Sequence, residues 1–183
     1  MRAIPGNDLR PTADRLRETL FNILTAGNPG ALEGTVWIDL YAGTGSVGIE
    51  AVSRGCGMAY FVDCAQQAVD LIRGNLSSLK VESGFEIAKL DAVRGLQFLE
   101  RRGVVADFIF LDPPYGMAQE YDNALKVLSQ SPLLNSESKV IAEHSKRVDP
   151  GECFGALRRY RALKQGDACL SFYRKGNAET RLP

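Results

Sequence analysis

Asp39-Leu40-Tyr41-Ala42-Gly43-Thr44-Gly45-Ser46-Val47-Gly48 decides how this chain is read. Val36–Tyr41 reads as a strand, and Ser46–Arg54 reads as a helix closed by Gly55. A strand running through a glycine-rich turn into a helix opens a βαβ unit. Gly43, Gly45 and Gly48 satisfy the spacing G-x-G-x-x-G. Glycine lets the backbone turn tightly and approach a ligand closely. The same spacing serves a packing turn or a dinucleotide site, so the glycines alone choose no ligand.

Outward from this unit, strands and helices alternate. Met58–Asp63 reads as a strand, residues 65–80 as a helix, Phe85–Leu90 as a strand, and Ala92–Arg102 as a helix. Phe108–Asp112, a helix over 119–130, and the strand Lys139–Glu143 follow. This βα repeat predicts an α/β fold with a mostly parallel sheet and helices on both faces. Leu157–Leu163 and Cys169–Tyr173 flank the turn Gln165-Gly166-Asp167 and predict a final antiparallel hairpin, for seven strands in all. Before the first strand, residues 1–11 read as an extended arm. Thr12 is placed to cap a helix over 13–26, with Leu16, Leu20, Ile23 and Leu24 on one face. The expected organisation is an arm and helix over 1–27, one domain over 28–175, and a frayed tail over 176–183.

The chain has 183 residues, 45% apolar, enough for one domain with a sizeable core. Its formal net charge is zero, so attraction to nucleic acid must come from local patches. Four cysteines without a C-x-x-C pair, and one histidine, argue against a zinc site or a disulfide framework. Free thiols point to a reducing cytoplasm. No apolar run is long enough for a membrane span.

Charge separates the candidate ligands of the glycine loop. A dinucleotide lays its pyrophosphate on the helix N-terminus, but Asp39 stands just before this loop with no Lys or Arg near it in sequence. S-adenosylmethionine carries an ammonium and a sulfonium, which a carboxylate favours by on the order of 4 kcal/mol gross at about 4 Å. Asp63 ends the second strand, where an acid accepts ribose hydroxyls in either cofactor family. Asp91 follows the third strand, where it and its neighbours can meet an adenine amine.

A second stretch, Asp107-Phe108-Ile109-Phe110-Leu111-Asp112-Pro113-Pro114-Tyr115-Gly116, is a buried strand that ends in a carboxylate. The two prolines donate no N–H and fix φ, so the chain stiffens and cannot extend the ladder. Tyr115 adds a flat face beside the acceptors of Asp112 and Pro113. A Pro-Pro-Tyr turn is also an ordinary surface feature. With the buried strand and terminal Asp, the group suits a flat ligand carrying N–H donors. It resembles the Asp/Asn-Pro-Pro-Tyr motif of amino-group methyltransferases.

With both motifs in place, the chain resembles the RsmD family, the 16S ribosomal RNA guanine-N2 methyltransferases. Arg10-Pro11-Thr12 and Arg15 to Leu24 resemble the family's opening helix. Asp39–Gly48, Ser53-Arg54-Gly55, Asp112–Tyr115 and Leu170–Tyr173 resemble its later motifs. The family usually opens with a longer basic strand pair, where this sequence has only Met1 to Leu9 before Arg10. It often has Glu where Asp63 stands. The resemblance implies a Rossmann-like class I methyltransferase fold and methylation of one guanine with S-adenosylmethionine. It also implies 16S ribosomal RNA or an assembling small subunit as partner, in a bacterial cytoplasm. A monomer that uses no metal and meets no membrane is expected.

The expected catalytic set is Asp112, Pro113, Pro114 and Tyr115. The expected cofactor set is Asp39, Tyr41, Ala42, Gly43, Thr44, Gly45, Asp63, Cys64, Asp91 and Ala92. Arg10, Thr12, Arg15 and Arg17 are candidates for RNA, as is a hairpin cluster of Arg158, Arg159, Arg161 and Lys164. His144 reads as structural. Three other functions remain open on the residues: amino-methylation of adenine N6 or of a glutamine amide, a non-catalytic RNA-binding assembly protein, and a nicotinamide dehydrogenase. The last lacks a substrate domain.

Overall fold

The structure is a computed structural model and describes residues 11–114 and 116–176. Contacts divide the chain into two compact units, Met1–Ala92 and Val93–Pro183.

The first unit begins with helix α1, Pro11–Leu24. Proline suits the first helical position, because its missing N–H would find no helical partner there. The helix therefore starts before the expected cap at Thr12. Leu16, Leu20, Phe21 and Leu24 are buried along one face, as the 3.6-residue repeat requires. The Phe21 ring stacks on Trp37 with centroids 5.5 Å apart, and the Arg54 guanidinium lies over Phe21 at 5.0 Å. Strands β1 (Val36–Leu40), β2 (Met58–Val62) and β3 (Phe85–Ala88) alternate with helices α2 (Ser46–Ser53) and α3 (Gln66–Ser78). β1 pairs in parallel with β2, and β2 with β3. Ile38, Leu40, Ala59 and Phe61 are buried in β1 and β2, with Ile49 of α2 and Ile72 of α3.

In the second unit, helix α4 (Ala92–Arg101) leads to β4 (Ala106–Leu111), α5 (Ala118–Gln130) and β5 (Leu134–Ser145). β4 is an almost continuous apolar run, buried at Phe108, Ile109, Phe110 and Leu111, as a parallel strand covered on two faces should be. β5 is longer than its apolar segment suggested. Asn135 Oδ1 accepts the N–H groups of Glu137 and Ser138, and Ser138 Oγ donates to Ala106 O at 2.6 Å. That polar turn ties the start of β5 to β4. β6 (Cys153–Phe154), β7 (Leu157–Gln165) and β8 (Ala168–Lys175) run antiparallel, β8 beside β5 and β7 between β8 and β6. β6 is the one strand added to the expected seven, and two residues carry no readable alternation. Both hairpins close through two-residue turns with a glycine at positive φ, Gly155 at 53° and Gly166 at 63°, the conformation such turns require.

No helix among the described residues is long and apolar enough to cross a membrane.

Gly48 shows how closely α2 lies on its sheet. A Cβ there would sit 2.4 Å from Phe61 Cε1 and 3.0 Å from Asp39 Oδ2. Gly48→Ala is expected to cost about 1–3 kcal/mol through overpacking. At about 2–4 °C per kcal/mol for a domain of this size, calorimetry should show a clearly lower Tm. An unchanged Tm would mean that α2 and β2 are not packed at this spacing.

Candidate active site

The glycine loop is held by two carboxylates from two strands. Asp39, in β1, is 2% exposed, and its Oδ2 accepts the N–H of Gly48 at 2.9 Å. Gly48 is the third residue of α2, whose first N–H groups have no helical partner. Gly45 occupies the N-cap position without a side chain to cap with. Asp39 does that work from the strand and also places negative charge at the helix's positive end. Asp63, just past β2, is half-buried. Its Oδ2 accepts the N–H of Gly43 and its Oδ1 that of Ala65, each at 2.9 Å. From α3, the fully buried Asn75 donates Nδ2–H to Thr44 O at 2.9 Å. Asn75 was not singled out from the sequence. Its signal is an amide on the apolar face that carries Ile72 and Leu76.

The three glycines do different things. A Cβ on Gly45 would meet Ile72 and Phe61 at 3.0–3.3 Å, so Gly45, like Gly48, serves packing. A Cβ on Gly43 would meet only Tyr41 O, at 3.9 Å, so the backbone there borders open space. Tyr41 itself has φ 59°, an uncommon conformation for a side chain of its size. Ala42 is buried, and Cys64 and Asp91 are exposed at the ends of β2 and β3. Ala92, at the start of α4, is 4% exposed. The residues of the expected cofactor set on the first unit thus gather on the loops that follow β1 and β2, with Asp91 after β3.

In the second unit, Asp112 follows β4, Pro113 is buried and Pro114 exposed. Tyr115 lies outside the described residues, as does Arg10. The β4–β5 register ends at Leu111↔Ala142, and Asp112 and Glu143 directly follow that pair, Asp112 just past the end of β4 and Glu143 within β5. Burial pushes the Asp112 carboxyl up to about 7. Burial first, and then the charge of Asp112, push Glu143 up to about 8. Asp112 is itself exposed, so water offsets much of this effect. Glu143 was read from the sequence only as the end of a strand. The available signal was the parallel between Ile141-Ala142-Glu143 and Phe110-Leu111-Asp112.

The candidate RNA cations divide sharply. Arg17 pairs with Asp14 at 2.9 Å on exposed α1, and Arg15 is exposed. Thr12 lies inside α1, and its side chain is outside the described set. Arg159 is committed internally: its guanidinium holds Asp149 at 2.6 Å and Glu152 at 3.3 Å, with the side chain 13% exposed. That pairing raises the Arg159 pKa and lowers that of Asp149. Arg158 donates to the carbonyls of Gly155 and Leu157, and Arg161 lies over the Phe172 ring at 5.8 Å. His144 is buried, with Nε2 2.9 Å from Ser171 Oγ and Nδ1 3.0 Å from Ser145 O. Among the described residues no cluster of His, Cys, Asp and Glu could hold a metal ion.

This architecture, parallel strands followed by antiparallel ones, is the Rossmann-like fold of class I methyltransferases. Solved structures agree: a structure described as "putative methylase" from Haemophilus influenzae aligns with TM-score 0.72 and 26% identity over 90% of this chain and 99% of its own. The family described as Conserved hypothetical protein 95 matches residues 1–174. The chain belongs to that family, the RsmD/YlbH group of S-adenosylmethionine-dependent methyltransferases. It is 31% identical to "Putative rRNA methyltransferase YlbH" of Bacillus subtilis (strain 168), over 96% of this chain and 92% of that one. It is 33% identical to "Ribosomal RNA small subunit methyltransferase D" of Escherichia coli (strain K12), over 74% of this chain and 66% of that one.

The raised carboxylates predict an unusual pH dependence of stability. Between about pH 4 and 7, folded Asp112 keeps a proton that the unfolded chain has released. Stability therefore falls as pH rises through this window. Asp112→Asn removes that cost and also relieves Glu143. Its melting temperature should exceed the parent's at pH 8 by on the order of 2–4 °C, the effect of ~1 kcal/mol after solvent screening. The gain should vanish by pH 4. Calorimetry showing an equal gain at both pH values would contradict the assignment.

Proposed function

We propose that the protein methylates the exocyclic N2 amine of a guanine in 16S ribosomal RNA, using S-adenosylmethionine, in the cytoplasm. The observation that carries this reading is Asp112-Pro113-Pro114 at the end of a buried parallel strand. It presents acceptors to an amine, in a chain whose glycine loop is held by acids rather than bases. The name of the Escherichia coli relative supports the substrate class.

The first unit's residues fit the cofactor. Asp63 uses one lone pair of each oxygen on Gly43 and Ala65. A carboxylate offers about four acceptor positions, so both ribose hydroxyls have sites left. The open space beside Gly43 lets the ligand approach the backbone. Asp39, Tyr41, Ala42, Thr44 and Gly45 are assigned to the methionyl end, where Asp39 contributes negative charge. Cys64, Asp91 and Ala92 flank the adenine. When bound, S-adenosylmethionine supplies a methyl group made electrophilic by its sulfonium.

At the acceptor end, the target guanine leaves its stack and lies against Tyr115. Asp112 and the Pro113 carbonyl accept the N2–H bonds, which turns the nitrogen lone pair toward the methyl carbon. S-adenosylmethionine held by the first unit's residues would supply the methyl group, and Asp112 or water would take the proton that N2 gives up.

Asp63→Ala should raise the Kd for S-adenosylmethionine at least about tenfold in calorimetry, by losing hydrogen bonds worth about 1.5 kcal/mol or more. Asp112→Ala should leave that Kd nearly unchanged and cut transfer to small-subunit RNA by about 100-fold or more. Binding of NAD without S-adenosylmethionine, or normal turnover by Asp112→Ala, would refute the reading.

For RNA, the internal pairing of Arg159 favours the Arg10–Arg17 segment over the hairpin. Arg10→Ala should weaken RNA binding and lower the salt slope by about one. The double change Arg158→Ala with Arg161→Ala should do less. Titrations at several salt concentrations compare them, and a larger loss in the hairpin variant would place the RNA there.

A further inference from the structure

We propose that Glu143 reads the N1–H of the target base and so selects guanine over adenine. This inference rests on the proposed guanine-N2 chemistry and adds to it the residue that sets the base.

Its position follows from the ladder. Leu111↔Ala142 is the last pair between β4 and β5, and Asp112 and Glu143 are the next residues on the two strands, near enough for the charge of Asp112 to act on Glu143. Neighbouring strands lie about 4.8 Å apart. That spacing brings both carboxylates within reach of one base edge. β5 is fixed from its other side by β8, where Glu143 pairs with Leu170. From α5, Tyr121 Oη donates to the Glu143 carbonyl at 2.7 Å. The backbone at Glu143 is therefore held by two elements, while its side chain stands beside a second acid.

A half-buried carboxylate facing another one is unfavourable for the empty protein, and both groups are driven toward protonation. Such pairs concentrate where chemistry uses them. What relieves the pair is a ligand with adjacent N–H donors. The Watson–Crick edge of guanine is such a ligand, with N1–H next to the N2 amine. Asp112 takes N2–H, and Glu143 takes N1–H. Adenine presents a lone pair at N1, which opposes Glu143 once its carboxyl has lost its proton above about pH 8. A site built to bond a donor rejects a ligand lacking it more strongly than a shape-based pocket does.

2-Aminopurine separates this role from others. It keeps the amine at position 2 but carries a lone pair at N1. The probe is a short synthetic RNA bearing the guanine that the enzyme methylates, or 2-aminopurine at that position. At pH 9, where Glu143 is ionised, the parent protein should methylate the 2-aminopurine RNA with kcat/KM about 10- to 100-fold below the guanine RNA. Glu143→Gln, whose amide can donate to the N1 lone pair, should shrink that ratio at least about fivefold, mainly by losing rate on guanine. Glu143→Ala should shrink it as well, and it serves as the second variant should the glutamine disturb folding. Equal rates of the parent on the two RNAs would overturn the proposal. So would a ratio left unchanged by both variants when melting and S-adenosylmethionine binding show them intact. If the parent methylates no guanine N2 at all, the functional reading fails first, and this proposal falls with it.

Discussion

Two carboxylate-to-backbone hydrogen bonds hold the first unit in working order: Asp39 to the N–H of Gly48, and Asp63 to the N–H of Gly43. Each joins a strand to the loop that follows β1, so the loop's shape is set by side chains outside it. The geometry explains the glycines without appeal to ligand binding for all three. Gly45 and Gly48 let helix, Phe61 and Ile72 come close, and Gly43 alone borders open space. The packing reading of the motif thus holds at Gly45 and Gly48.

The second unit solves a different problem. A buried strand must end somewhere, and β4 ends in a carboxylate followed by two prolines that cannot continue pairing. β5 ends its buried run at a carboxylate in the adjacent register position. Desolvation raises both carboxyl groups and makes the pair costly at neutral pH. Elsewhere the unit holds its charged and polar groups in partnerships. Arg159 gathers Asp149 and Glu152, His144 is bonded to Ser171, and Lys175 Nζ donates to the carbonyls of Ser131 and Leu134 at 2.9 Å.

The order of strands and helices was legible because apolar runs and their punctuation survive in sequence. Val36–Leu40, Met58–Val62 and Ala106–Leu111 are recognisable without any structure. The start of α1 was not, since Pro11 and Thr12 are both good first-turn residues. β6 was too short to show a period, and the polar turn at Asn135–Ser138 hid the start of β5. Around the candidate site, residues within a motif are legible in the sequence, and residues brought close by the fold are not. Asn75 reaches Thr44 from a helix 31 positions on, and Glu143 meets Asp112 only through the β4–β5 register. Arg159 shows the converse. The sequence offers it as an RNA candidate within a basic run, but its two acidic partners lie at 149 and 152, outside that run.

The central claim is that one guanine of small-subunit ribosomal RNA receives a methyl group at N2. It is tested most directly by nucleoside mass spectrometry of 16S ribosomal RNA from cells lacking this gene, and from the same cells given it back. The account predicts that one N2-methylguanosine disappears and returns, and that the Asp112→Ala gene fails to restore it. An unchanged N2-methylguanosine content, or a change confined to N6-methyladenosine, would contradict it.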